Sequence, residues 1–415
     1  MALSSSGTGS ATGVPEPGAR PGRGLLSLLL LGNTALYALY IGVGGILLAL
    51  QVEDLDPAAK VANFGLIAGV SAIFATVFNP VAGALSDRSG RRNPWILGGG
   101  LLAVPAMVLL GLADGLLLIA LAWCLGQAVL NVYQAALTSV VPDRVPAASR
   151  GLASAAVGLG LPLGTAIGAL VGAAFAEEYR TGYLLLGVLV AGAAVLFTGC
   201  AREERPPVRP PAPARAQLAA FASALRDHDF RWAFIGRALL VLGYFAVSGY
   251  QLYVLQDHTE LPRGMAPEAA VAVLMPVTSL AMAVSTVLGG WLSDRAGRRK
   301  PFVGASAALS AAGLLVPALS RSWTAMLVFA VVNGLAFGCY MAVDTALVTM
   351  VLPTAEDAAR DLGVLNVANA GPQIVAPFVA SAVVSLSGGY TLLFLVAAAL
   401  ALAGALAVAP IRSVR

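Results

Sequence analysis

Between Leu25 and Leu50 the chain runs twenty-six residues without a charged side chain. A helix needs about 20 apolar residues to cross the ~30 Å hydrocarbon layer of a bilayer, so this stretch is long enough to span. Eleven more apolar runs follow, at about 62–85, 95–113, 116–141, 151–175, 181–200, 232–256, 268–292, 302–320, 323–351, 362–387 and 390–410. Only 11% of residues are charged and the mean hydropathy is +0.83, against about 25% charged in a soluble domain. Inside lipid each backbone polar group needs a partner within the protein, which restricts spanning segments to helices or closed barrels. Runs of this length select helices. The expected fold class is an all-α integral membrane protein with twelve transmembrane helices.

The same residues argue against other classes. A net charge of +4 invites a nucleic-acid reading, but the basic residues sit in short loops between apolar runs, where they orient a chain in the membrane. Cys124, Cys200 and Cys339 lack the paired spacing of disulfide frameworks or zinc sites and are expected to pack as small core residues. With only His228 and His258 present, neither a metal nor a cofactor is expected. No nucleophile–base pair can be assembled from residues inside the spans, so the chain does not read as an enzyme. It also lacks a Gly-x-x-x-x-Gly-Lys-Ser/Thr phosphate loop.

Residues 1–24 hold almost no large apolar side chain, a composition of disordered tails. Residues 201–231 are charged and proline-rich (Pro206, Pro207, Pro210, Pro211, Pro213) and cannot continue a buried helix. The expected organisation is a tail (1–24), six spans (25–200), a linker (201–231), six spans (232–410) and a short C-terminal tail (411–415). Of the 25 Lys and Arg residues, all but Lys60, Arg180, Arg263 and Arg321 fall in the tails, the linker, the loops after even-numbered spans, or, for Arg237, near the start of span 7. By the positive-inside rule both termini and the linker are cytoplasmic, in a multi-pass protein of the cell membrane.

The chain also repeats itself. Gly83-Ala-Leu-Ser-Asp-Arg-Ser-Gly-Arg-Arg-Asn-Pro-Trp95, after span 2, returns 207 residues later as Gly290-Trp-Leu-Ser-Asp-Arg-Ala-Gly-Arg-Arg-Lys-Pro-Phe302, after span 8, with nine of thirteen positions identical. A second alignment, offset by 210, pairs Gln134, Arg150 and Pro162 with Asp344, Arg360 and Pro372. Two six-span halves, each carrying Gly-x-x-x-Asp-Arg-x-Gly-Arg-Arg after its second span, resemble the major facilitator superfamily. The resemblance implies two pseudo-symmetric six-helix bundles with a solute site between them near the midplane. Pro94-Trp95 and Pro301-Phe302 are similar to the sugar/cation symporter branches. The arginine before a glycine in span 4 and the Gly-Pro of span 5 that mark proton-coupled exporters are replaced here by Ala122-Trp-Cys-Leu-Gly126 and Leu161-Pro162.

The repeated loop has its own physics. Asp87 and Asp294 stand where a helix ends, and a carboxylate there can cap the positive N-terminus of a helix from the other half, a contact of about 0.3–1 kcal/mol that suits a reversible latch. Gly90 and Gly297 permit the tight turn. Arg91 and Arg298 are expected to pair with those aspartates or with acidic helix ends such as Asp143 and Glu356. With Gly83, Arg88, Gly290 and Arg295, these residues form the expected gating set.

Within the spans, Asp344 reads as the one deeply placed charge. A central charged residue costs about 2.5–3.5 kcal/mol to insert, and burial disfavours its anion, so Asp344 is suited to carry a proton or pair with a solute cation. A structural hydrogen bond to a neighbouring helix is the alternative. Polar residues also recur at helical spacing: Asn33, Tyr37 and Tyr40 in span 1; Gln127, Asn131 and Gln134 in span 4; Tyr244, Ser248 and Gln251 in span 7; Asn333, Phe337, Tyr340 and Asp344 in span 10. Asn369 joins them from span 11. Spans 1, 4, 7 and 10 line the cavity in the family this chain resembles, so these residues are the expected solute site. Gly160, Gly164, Gly168 and Gly172 in span 5, with Gly65 and Gly69 in span 2, are expected to form seams along which the halves rock. The expected function is a monomeric secondary transporter that moves a small polar or amphipathic organic solute by alternating access, coupled to protons through Asp344, with uptake of a sugar-like solute and efflux of a drug or natural product both open. A transporter-shaped receptor that moves nothing is the alternative.

Overall fold

The computed structural model describes residues 24–146, 149–201, 203, 226–351 and 358–412, with side chains throughout except at 345, 346, 348–351 and 358–366. Glu356 and most of the linker and tails lie outside the described residues. Twelve principal helices follow in order: α1 (Leu25–Leu55), α2 (Lys60–Ser89), α3 (Asn93–Gly111), α4 (Leu116–Arg144), α5 (Arg150–Ala174), α6 (Tyr179–Cys200), α7 (His228–Ser248), α8 (Pro267–Ala296), α9 (Lys300–Leu319), α10 (Trp323–Val351), α11 (Ala358–Ser387) and α12 (Thr391–Ala407). A short helix, Gln251–Asp257, prolongs α7. Within α1, Val43–Leu47 forms a π-helical turn. Among the described residues, eleven helices are long and apolar enough to cross a membrane, and α12, with 17 residues, is shorter.

Packing follows the sequence repeat. In the first six helices α1 lies against α5 and α6, α2 against α4, and α3 against α4 and α6. Adding six to each number gives the second set: α7 against α11 and α12, α8 against α10, and α9 against α10 and α12. The two groups meet along α2–α11 and α5–α8, contacts that exchange with each other under the same shift. Gly90 and Gly297 end α2 and α8 with φ of 59° and 62°, the left-handed conformation that glycine tolerates.

The glycine seams divide differently from the sequence expectation. Gly160, Gly164, Gly168 and Gly172 all face α1: a Cβ at Gly164 would stand 2.6 Å from the Thr34 carbonyl oxygen, and one at Gly168 would press on the Ala38 carbonyl. This seam binds two helices of the same half, because α1 and α5 pack backbone to backbone. The seam between halves is Gly65 and Gly69, where a Cβ would meet Tyr250 and Ser381 or the Phe378 ring. Cys200 departs from the core expectation as well, being exposed, whereas Cys124 is buried.

Candidate functional site

The second half gathers its predicted polar residues into one place. Tyr244 and Ser248 of α7, Gln251 of the short helix and Asn333 of α10 line a small cavity of about 30 Å³, together with Thr278 and Phe329. Asn333 is buried and its Oδ1 accepts a hydrogen bond from Ser310 of α9 at 2.6 Å. The Tyr244 ring stacks on Phe337 with centroids 3.9 Å apart, which makes an aromatic floor beneath the cavity. Below that floor lie Tyr340 and Asp344, each on the same face of α10 as Asn333.

Asp344 is 2% exposed and Arg237 of α7 is 6% exposed, with Nη1 of Arg237 3.4 Å from Oδ2 of Asp344. Among the described residues, Arg237 Nε and Asp344 Oδ2 have no hydrogen-bond partner. Two sequence expectations are corrected by this pair. Asp344 is not the lone charge within the spans, and Arg237 does not act as a flanking topology residue. The reason is length: Arg237 stands nine residues after His228, where α7 begins, about 13 Å along the axis. Pairing inside the protein offsets part of the cost of placing two charges at that depth. The signal was present in Phe234-Ile-Gly-Arg-Ala-Leu-Leu, an arginine inside an apolar run.

The first half distributes its residues less tightly. Asn131 Nδ2 donates to the Tyr40 hydroxyl (3.2 Å) and to the Gln127 carbonyl (2.8 Å), while its Oδ1 accepts from Asn79 (3.1 Å), a partner the sequence reading missed. Asn33 is 4% exposed in the α1–α5 contact and donates to the Leu29 carbonyl of its own helix at 2.8 Å. Tyr37, Gln134 and Asn369 are half-buried, and the Asn369 carbonyl accepts from Gln373 at 3.1 Å.

The two ends of the molecule differ. At the end away from the linker, Lys60 of α2 donates to Glu53 (2.8 Å) and, across the halves, to Asp257 (3.0 Å) and Gln256 (3.3 Å). Tyr253 donates to the Ala49 carbonyl (2.7 Å) and Tyr250 to the Val61 carbonyl (3.2 Å), both also across the halves. At the linker end, among the described residues, the ion pairs of the repeated loops join groups on the same side of the linker. Arg92 bonds Asp87 and reaches Asp143 at 2.8 Å, Arg91 pairs with Glu203 at 3.0 Å, and Arg299 pairs with Asp294 at 3.1 Å. The expected register is therefore off by one: Arg92 and Arg299, not Arg91 and Arg298, take the aspartates. Each immediately precedes its helix, α3 or α9, and Arg92 is turned inward at 4% exposure. Arg88 and Arg298 are exposed, and Arg295 lies over the Trp291 ring at 5.5 Å.

The Major Facilitator Superfamily matches residues 28–275 and 264–414. The chain belongs to that superfamily. Among major facilitator relatives, it is 30% identical over 171 residues to the multi-drug resistance efflux pump PmrA of Streptococcus pneumoniae, covering 38% of this chain. That match spans about two fifths of the pump's length, 40%. The MFS transporter asaE of Aspergillus flavus is 24% identical over 337 residues, 78% of this chain and 72% of its own. The fold is shared with the peptide transporter POT in complex with sulfate, at a TM-score of 0.74 and 17% identity over 94% of both chains. A bacterial homologue of the human lysosomal transporter Spinster, inward-facing and occupied, gives a TM-score of 0.70 at 16% identity over 95% of both chains. The protein is thus a multi-pass membrane protein of the major facilitator superfamily.

Proposed function

We propose that this transporter moves a small polar or amphipathic organic solute by alternating access, coupled to protons through Asp344. The observation that carries the reading is the buried Arg237–Asp344 pair, set on α7 and α10 beneath the cavity that the same two helices help line. A carboxylate beside a permanent cation can take up or release a proton as solute enters or leaves, which links the two fluxes. The concentration of basic residues on the linker side supports a cytoplasmic linker. With the far end tied and the linker-end loops paired inside their own halves, this structure fits a state closed to the exterior. The part-length likeness to an efflux pump favours outward movement of a drug or natural product, and the Pro-Trp and Pro-Phe likeness favours uptake of a sugar-like solute.

Proteoliposomes with an imposed pH gradient test the reading and give the direction by the sign of the flux. Asp344→Asn should abolish accumulation of solute against its gradient while solute exchange at equal pH continues. Accumulation by the variant at the wild-type rate removes Asp344 from coupling.

A further inference from the structure

Arg237 is a guanidinium whose buried Nε has no hydrogen-bond partner among the described residues, and its contact with Asp344 is a single approach of 3.4 Å. A guanidinium offers five donors in a planar fork and stays protonated in proteins. One ring-lined cavity stands above it on the same helix face: Tyr244 is seven residues further along α7, about 10 Å up the axis. The site therefore combines an unsaturated cationic anchor with an aromatic and amide-lined pocket.

Charge accounting selects what can bind. With Asp344 ionised the pair is neutral. Once Asp344 takes a proton, Arg237 becomes an uncompensated buried cation, the costly condition for a group in low dielectric. A neutral solute leaves that charge in place, and a cationic solute adds to it. A solute carrying a carboxylate or another anionic group cancels it and satisfies the free Nε. Resting on the transport reading above, we infer that Arg237 is the anchor for the anionic group of an amphipathic organic anion, which reaches it when the Tyr244–Phe337 stack parts and whose body then lies along those two rings. Proton and anion bind together, Asp344 Oδ2 receiving the proton and Arg237 the anion, and both leave on the other side. The pair is thus built for electroneutral co-transport of one proton with one anion. Among the described residues, the titratable groups acting on Asp344 are Arg237 from α7 and Tyr340 of α10 itself, with none from α8 or α9.

A matched probe set tests this: 4-phenylbutyrate and 6-phenylhexanoate, with the amide and the amine of each. Thermal stabilisation of the purified full chain reads binding to the native state. Both carboxylates should stabilise it, with an affinity about tenfold or more above that of the amides and amines, and the effect should grow as the buffer is acidified. Asp344→Asn leaves Arg237 permanently unpaired and should bind the carboxylates independently of pH. The double variant Arg237→Gln, Asp344→Asn removes both charges and should show no preference for carboxylates. Amides or amines binding as tightly as carboxylates, no stabilisation of the wild type by either carboxylate, or a preference retained in the double variant each overturn the assignment. In vesicles, carboxylate uptake should be insensitive to a clamped membrane potential. Amine flux with proton movement would keep the transport reading while removing the anion anchor, whereas carboxylate binding without any flux would do the reverse.

Discussion

At Gly168 the space where a side chain would begin is filled by the Ala38 carbonyl of α1. Backbone cannot rotate away as a side chain can, so Gly168→Ala must push two helices apart. Overpacking of this kind costs about 1–3 kcal/mol, more than the ~1 kcal/mol gained from alanine's better helix propensity. Gly192 is the control: it is exposed on α6, with nothing within 4 Å of an added Cβ. Thermal unfolding of the purified protein should show a lowered midpoint for Gly168→Ala and an unchanged or raised one for Gly192→Ala. Equal midpoints would mean that the α1–α5 seam is not under steric constraint. Sequence spacing alone marked the four glycines of α5 as a seam, because small residues every fourth position share a helix face. It did not say which helix fills the groove, since that depends on bundle topology. Arg237 went unread for a related reason: a positive charge near a predicted helix start looks like a topology signal until the true start is known.

Among elements, the contact between the start of α2 and the short helix Gln251–Asp257 controls whether the far end can part. Lys60 holds carboxylates from both halves and lies 4.9 Å from the Tyr253 ring centroid. The other oxygen of Asp257 is held by the Tyr390 hydroxyl at 3.1 Å. Beneath this ionic layer Phe64 of α2 meets Tyr250 and Tyr253 edge-on, at 5.3 and 5.6 Å between centroids. With side-chain exposures of 13% for Lys60 and 27% and 38% for its partners, solvent screens each pair. Their loss together should amount to about 1–2 kcal/mol, a factor of roughly 5–30 in the closed-to-open ratio. Spin labels at Ala58→Cys and Arg263→Cys, both exposed on opposite halves, report this in a chain whose native cysteines are serine. Lys60→Met should populate a longer distance; an unchanged distribution would deny the cluster a gating role. In the sequence Lys60 stood out only as a basic residue on the sparse side, because its partners in the other half are 196 and 197 residues away.

For the whole molecule, the relation between the two halves turns these local contacts into a cycle. The helix pairings of one half recur in the other, and the contacts between halves, α2–α11 and α5–α8, exchange under the same relation. A body built this way has two equivalent modes of tilt about its centre, so separation at one end brings the other end together. The duplicated loop made that symmetry legible in the sequence; the state in which the chain rests was not, since it depends on which end holds the stronger cross-half contacts. Here the far end is tied by Lys60, Tyr250 and Tyr253, while Asp87 and Asp294 keep side-chain exposures of 43% and 68% at the linker end. Rocking then predicts a response at long range. Ala296→Cys, exposed at the linker end of α8, should react readily with a bulky water-soluble maleimide. Adding Lys60→Met, at the opposite end of the molecule, should slow that reaction in proportion to the fraction of molecules it removes from the far-end-closed state, because opening the far end draws the linker-end loops together. An unaltered rate alongside a lengthened far-end distance would show that the two ends open independently, and the halves would then not move as rigid bodies.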